Sequence, residues 1–145
     1  MILGIDTDVL VNWAMAGAPH HRAARRLIET EVRERKSRLG ITPQVLFEFA
    51  HVSTDPRRFE NPLPMDRAID LTRTIWDAEE TVRLVPGPTV VHRALDLIAG
   101  LRLGRKRILD TVLAATLEGA GVRRLATLNE RDFEGFAFLE IVPIH

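Results

Sequence analysis

No cysteine occurs among the 145 residues. That absence excludes a disulfide framework, a thiolate zinc site and a cysteine nucleophile, and it suits a reducing cytosol. Neither sign of charge predominates: 20 Lys and Arg balance 20 Asp and Glu. Bulk charge therefore announces no polyanionic partner, and any nucleic-acid surface has to be a local patch. No apolar run approaches the ~20 residues that span a bilayer. The opening Met1–Leu10 has two acids and neither a basic nor an extended apolar signal region, so no signal peptide is expected. Repeats, low-complexity tracts and interdomain linkers are also missing. The length fits one domain over 1–145 with a real core.

What stands out instead is four carboxylates in apolar surroundings. Asp6 closes the run Met1-Ile2-Leu3-Gly4-Ile5. Glu48 interrupts Val45-Leu46-Phe47-Glu48-Phe49. Asp110 opens Asp110-Thr111-Val112-Leu113-Ala114-Ala115. Asp132 follows Leu125-Ala126-Thr127-Leu128, just past Asn129. Acids rarely lie against apolar surface unless paired or bound to a cation. Gathered by a fold, these four could hold a hard divalent metal. Each also has a plainer account. Asp6 could cap a helix. Glu48 could pair with Arg57 or Arg58, and Asp110 with Arg107. Asp132 could be a turn residue. Only their coincidence favours a site.

The pattern alternates strands and helices. Ile2–Ile5 reads as a buried strand, followed by a helix from Asp6-Thr7. Pro19 starts a second helix with Ala23, Leu27 and Val32 as its apolar positions. Gly40-Ile41 is a brief strand. Thr42-Pro43 is a strong helix start, since Thr can cap and Pro suits the first helical position. Residues 53–64 form a polar, proline-bearing connection. A helix follows over 66–78, with Ile69, Leu71, Ile75 and Trp76 as candidate core. Val82–Val85 is a strand, 89–103 a helix broken by Gly104, and 108–118 a helix ended by Gly119-Ala120-Gly121. The last strands are Arg124–Leu128 and Phe138–Val142. Such alternation predicts a three-layer α/β domain with a mostly parallel sheet of four or five strands. Ligand sites in such sheets lie beyond the carboxyl ends of the strands, where Asp6 and Asn129/Asp132 fall. Glu48 shares a helix face with Val45, Phe49 and Val52, and Asp110 with Leu113, Ala114 and Leu117. Both sit in the first two turns of their helices.

In this order, Ile5-Asp6-Thr7-Asp8-Val9-Leu10, Val45-Leu46-Phe47-Glu48, Asp110-Thr111-Val112-Leu113-Ala114-Ala115-Thr116 and Ala126-Thr127-Leu128-Asn129-Glu130-Arg131-Asp132-Phe133 resemble the PIN-domain ribonucleases, nearest to the VapC-type toxins of toxin–antitoxin pairs. The resemblance implies an α/β/α PIN-like fold and a cytoplasmic endoribonuclease using Mg²⁺ or Mn²⁺. It implies an RNA substrate, a VapB-type antitoxin partner and a homodimer. By position, Asp6, Glu48 and Asp110 match the family's three central acids. Asp132 is carried as the fourth, and Asn129 as an orienting or ligand residue. Asp8 stands where many relatives have Asn, a residue that braces the first loop.

Phosphodiester hydrolysis needs charge offset on the attacking and leaving oxygens, which Mg²⁺ or Mn²⁺ supplies from a carboxylate cage. RNA also needs protein cations. Arg102, Arg105, Lys106 and Arg107, beside Asp110, are the candidates, with Arg57 and Arg58 on the loop after the Glu48 helix. Arg22, Arg25 and Arg26 read as a solvated or antitoxin-facing surface, and His20 and His21 as exposed loop residues rather than ligands. Ser53, Thr116 and Thr127 lack the Gly-x-Ser-x-Gly elbow or paired histidine that would make a nucleophile. Two rivals remain. Asp6-Thr7-Asp8-Val9 after a strand also resembles haloacid-dehalogenase-type phosphatases, which need a later Lys and an acidic pair after another strand. A PIN-like binding module without catalysis is the other.

Overall fold

The computed structural model describes residues 1–145. Five strands, β1 (Ile2–Ile5), β2 (Arg38–Ile41), β3 (Thr81–Arg83), β4 (Arg124–Ala126) and β5 (Glu140–Val142), form one sheet in the order β3-β2-β1-β4-β5. Every pairing is parallel. Six helices connect them: α1 (Thr7–Ala14), α2 (His21–Glu29), α3 (Pro43–Ser53), α4 (Met65–Asp77), α5 (Pro88–Gly100) and α6 (Ile108–Gly119). Helix α1 packs on both α2 and α3, α3 packs on α4, and α5 packs on α6. The chain moves from β1 outward through β2 to β3, then returns to β4 on the other side of β1. The strand order, not the strand direction, therefore reverses between β1 and β4, where doubly wound sheets open a crevice at the strands' carboxyl ends.

Local chemistry sets the elements that carry the acids. The Thr42 hydroxyl accepts from Val45 N–H at 3.2 Å, and Pro43 takes the first turn of α3. Asp6 leaves β1 in extended backbone and caps α1 by accepting from Thr7 N–H at 2.8 Å. Helix α6 ends at Gly121 with φ +72, a left-handed turn natural to glycine, and Val122 N–H bonds back to the Leu117 carbonyl. Gly4 and Gly40 are register partners on β1 and β2. A Cβ on Gly4 would lie 2.8 Å from Leu117 Cδ2, so the glycine is what lets α6 seat closely on the central strand.

The core joins both layers through Leu3, Ile5, Val9, Phe49, Leu117 and Leu125, all fully buried. Opposite the acid end of the sheet, Arg124 at the start of β4 donates to both Glu31 carboxylate oxygens at 2.6 and 3.0 Å, and Ser37 adds a third bond at 2.7 Å. The Arg124 contact, first, holds the Glu31 carboxyl below its usual range.

The alternation predicted the architecture, and the sheet is wholly rather than mostly parallel. Boundaries moved where chain geometry overrode pattern. Pro19 and His20 form a turn, so α2 begins at His21, and Val32 falls in a π-helical turn over Thr30–Glu34. Strand β3 lies earlier than expected because Thr81–Arg83 are the residues that pair with Leu39–Ile41. Ile69 is exposed rather than core, whereas Ile75 is buried. No helix is long and apolar enough to cross a membrane.

Candidate active site

The crevice between β1 and β4 brings the acids together. Asp6, Asp8, Glu48, Asp110 and Asn129 line one cavity of about 520 Å³, with Arg58. Asp6 arrives on the end of β1, and its backbone N–H bonds the Ala126 carbonyl of β4 at 3.0 Å. Its carboxylate accepts from Thr7 N–H at 2.8 Å and from the Thr127 hydroxyl at 2.7 Å. Thr127 in turn accepts from Asn129 N–H at 3.0 Å. Glu48, from the second turn of α3, accepts from Gln44 Nε2 at 2.8 Å and lies 3.4 Å from the Thr7 hydroxyl. Gln44 Nε2 also reaches the Leu109 carbonyl at 3.4 Å, tying the start of α3 to the start of α6 beside Asp110. Asp8 accepts from Leu128 N–H at 3.1 Å and Asn129 Nδ2 at 2.9 Å, which clamps the segment after β4 onto α1. Its other oxygen, Oδ1, is buried without a partner.

The electrostatics follow from this crowding. Burial raises the Asp6 carboxyl above its usual range. Its bonds from Thr127 and Thr7 oppose that, while the charges of Glu48 and Asp132 add to it. Burial, then the charge of Asp6, push Asp8 up to about 7. Asp110 is pushed up to about 6, by burial first and then by Asp6 and Asp132, with Arg107 opposing. Protein interiors penalise carboxylate charge, and neighbouring carboxylates compound it.

Asp132 sits apart from the cavity wall. It pairs with Arg107 at 2.9 Å, although its charge is felt at both Asp6 and Asp110. Arg107, which by spacing could have paired with Asp110, thus forms its ion pair with Asp132 instead. Thr111 fixes the Arg107 turn by donating to the Arg107 carbonyl at 2.6 Å. Arg102, Arg105 and Lys106 do not line the cavity. Arg102 lies exposed in the turn after α5 at φ +54. Arg57 is engaged by Asp55 at 3.4 Å, which leaves Arg58 as the cation on the cavity wall. Sequence reasoning passed over Thr7, Gln44 and the hydroxyl role of Thr127. Their signal was faint, because a Thr or Gln one or four residues from an acid is common on any helix.

As the side chains stand, no three acids or histidines meet at metal-ligand spacing. The donors nonetheless suit a hard cation. All are carboxylate or carboxamide oxygens, the preferred ligands of Mg²⁺ and Mn²⁺. Three of the acids hold protons above their usual range, and one buried carboxylate oxygen has no partner. A divalent charge would relieve each of these.

A family model described as "PIN domain" matches residues 4–139. The chain belongs to the PIN-domain family. Ribonuclease VapC24 of Mycobacterium tuberculosis is 29% identical over 141 residues, covering 97% of this chain and 94% of that protein. Among solved structures, VapBC2 from Rickettsia felis, bound to a DNA fragment from their promoter, superposes with TM-score 0.68 at 15% identity, over 100% of both chains. A toxin–antitoxin complex from Klebsiella pneumoniae gives 0.63 at 16% identity, covering 97% of this chain and 95% of that one. The two structures speak for the fold alone. Membership in the PIN family removes the phosphatase alternative, and no lysine lines the cavity as that chemistry requires.

Proposed function

We propose that this PIN domain is a metal-dependent endoribonuclease, the toxin of a toxin–antitoxin pair, acting in the cytoplasm. The observation that carries the reading is the convergence of Asp6, Glu48 and Asp110 on one cavity at the sheet's reversal point. The near full-length relation to a protein named as a ribonuclease supports it. Asp6, Glu48 and Asp110 would hold Mg²⁺ or Mn²⁺, with Asn129 as a further oxygen donor. Asp132 would act from the rim through its charge and its hold on Arg107. When bound, the ion supplies Lewis acidity, which acidifies water and offsets charge on phosphoryl oxygens.

The chain's own residues do the positioning. Thr127 and Thr7 N–H fix the Asp6 carboxylate, Gln44 fixes Glu48, and Asp8 holds Asn129 against the cleft. Such supporting bonds orient ligands and tune their basicity. Arg58 offers a cation to the RNA backbone on the same wall.

The proposed protein partner is a VapB-type antitoxin, in line with the Klebsiella pneumoniae complex. A homodimer is proposed as well. Phe47, Met65 and Ile69, 72%, 60% and 44% exposed, line an apolar groove between α3 and α4 that association would cover. The test of the activity is direct: incubate the protein with total cellular RNA in Mn²⁺ and in chelator. Discrete fragments only with Mn²⁺ are expected. Intact RNA under both conditions would sink the proposal.

A further inference from the structure

A second cavity, also about 520 Å³, adjoins the acid cleft. The two share Ala18 and Pro19 as a common wall. Its chemistry is the reverse of its neighbour's. His20, His21, Arg22, Arg26 and His145 line it, and no Asp or Glu side chain does. Arg22 and Arg26 stand one helical turn apart on α2, both exposed, and neither takes part in an ion pair. Arg25, between them, differs: its guanidinium lies over the Trp13 ring at 5.3 Å.

The pocket's wall is rigidly built. Asn12 is buried, and three bonds fix it. Its Nδ2 donates to the Asp8 carbonyl at 2.8 Å, its Oδ1 accepts from His20 N–H at 2.9 Å, and its carbonyl meets His21 Nδ1 at 2.8 Å. A carbonyl only accepts, so His21 Nδ1 carries the proton and Nε2 is the ring's uncommitted edge. Asn12 itself lines the acid cleft. One buried side chain therefore ties the geometry of the basic pocket to that of the acids.

We propose that this basic pocket is a phosphate-binding subsite for the RNA strand, engaging a backbone phosphate next to the one held in the acid cleft. The inference rests on the RNA reading above and deepens it. Charge pattern selects the ligand. A strand with uniform negative charge suits the arginines directly and suits the acid cleft through a divalent ion. A basic peptide drawn to the acids would be repelled by the pocket, and an acidic one by the cleft. Arginine forks match phosphate oxygens well.

The test is equilibrium binding of a short, labelled, single-stranded RNA of mixed sequence, in chelator, across a salt series. For Arg22→Gln/Arg26→Gln the slope of log affinity against log salt should shrink by about 0.7 per lost phosphate contact. In cleavage assays with Mn²⁺ the loss should appear in KM rather than kcat. His21→Asn keeps a donor near the Asn12 carbonyl but removes the Nε2 edge, and should weaken binding less than the double variant. Arg105→Gln/Lys106→Gln serves as the comparison. An unchanged slope for the Arg22/Arg26 variant beside normal wild-type binding would overturn the subsite while leaving the RNA reading intact. A loss found only in the Arg105/Lys106 variant would do the same. Inorganic phosphate should displace the RNA better than chloride at equal ionic strength from the wild type but not from the double variant; phosphate binding lost in the double variant with RNA binding unchanged would show a free-phosphate site instead. Loss of binding to an acidic peptide, with RNA binding kept, would assign the pocket to a protein partner. No salt-dependent RNA binding by the wild type in chelator, together with no cleavage in Mn²⁺, would overturn both readings.

Discussion

Replacing Asp110 by Asn should make the metal-free protein more stable at pH 8. The folded chain raises this carboxyl from 3.8 to about 6. It therefore holds the proton more tightly than the unfolded chain does. Stability from this group is full below about pH 4 and is lost as pH rises through about 6. At pH 8 the rise from 3.8 to about 6 corresponds to roughly 3 kcal/mol. The side chain is only half-buried, so solvent screening cuts that to about 1.5 kcal/mol. For a chain of this length, that is a gain of about 3–6 °C in Tm. At pH 5 the unfolded group is ionised and the folded group mostly protonated, so about half the gain should remain. The assay is thermal unfolding by circular dichroism in chelator at both pH values. Adding Mn²⁺ should reverse the ranking if Asp110 is a ligand as proposed, because the wild type would bind the ion more tightly and be stabilised by mass action. If Asp110→Asn is no more stable than wild type at pH 8 in chelator, the crowded-acid reasoning is wrong.

Three further substitutions probe the site and the sheet that carries it. Thr127→Val removes the 2.7 Å bond to Asp6 and the cap on Asn129 N–H, and should weaken Mn²⁺ binding about tenfold by calorimetry. Gly4→Ala places a Cβ 2.8 Å from Leu117 Cδ2 and 3.2 Å from the Arg124 carbonyl oxygen, and should cost about 1–3 kcal/mol in denaturant unfolding. Arg124→Met leaves the Glu31 carboxylate, whose side chain is 2% exposed, with only the Ser37 hydroxyl at 2.7 Å and Arg35 at 3.7 Å, and should cost about 3 kcal/mol, with much of it recovered when Glu31→Gln is added.

The acids were legible because apolar surroundings make a carboxylate conspicuous, and strand ends and helix faces then place it. Thr42-Pro43 was equally plain, since capping is local chemistry. What stayed hidden depends on contacts between distant residues. Arg107 lies three residues from Asp110, yet it pairs with Asp132, because the short turn over Arg105–Arg107 directs it toward the segment after β4. Arg22 and Arg26 looked like an ordinary solvated helix face. Only the fold brings that face against Ala18 and Pro19, one wall away from the acids. Asn12 gave no sign of its three bonds, since two of its partners, the His20 N–H and the His21 ring, lie eight and nine residues on.

Asp6 and Asp110 are proposed to hold the divalent ion with which this cleft would cut RNA. Cleavage of RNA by wild type, Asp6→Asn and Asp110→Asn, each in Mn²⁺ and in chelator, tests it most directly. The wild type should cut in Mn²⁺ alone, and both folded variants should lose cutting. Variants that cut as well as the wild type, or a wild type that cuts in chelator, would contradict it.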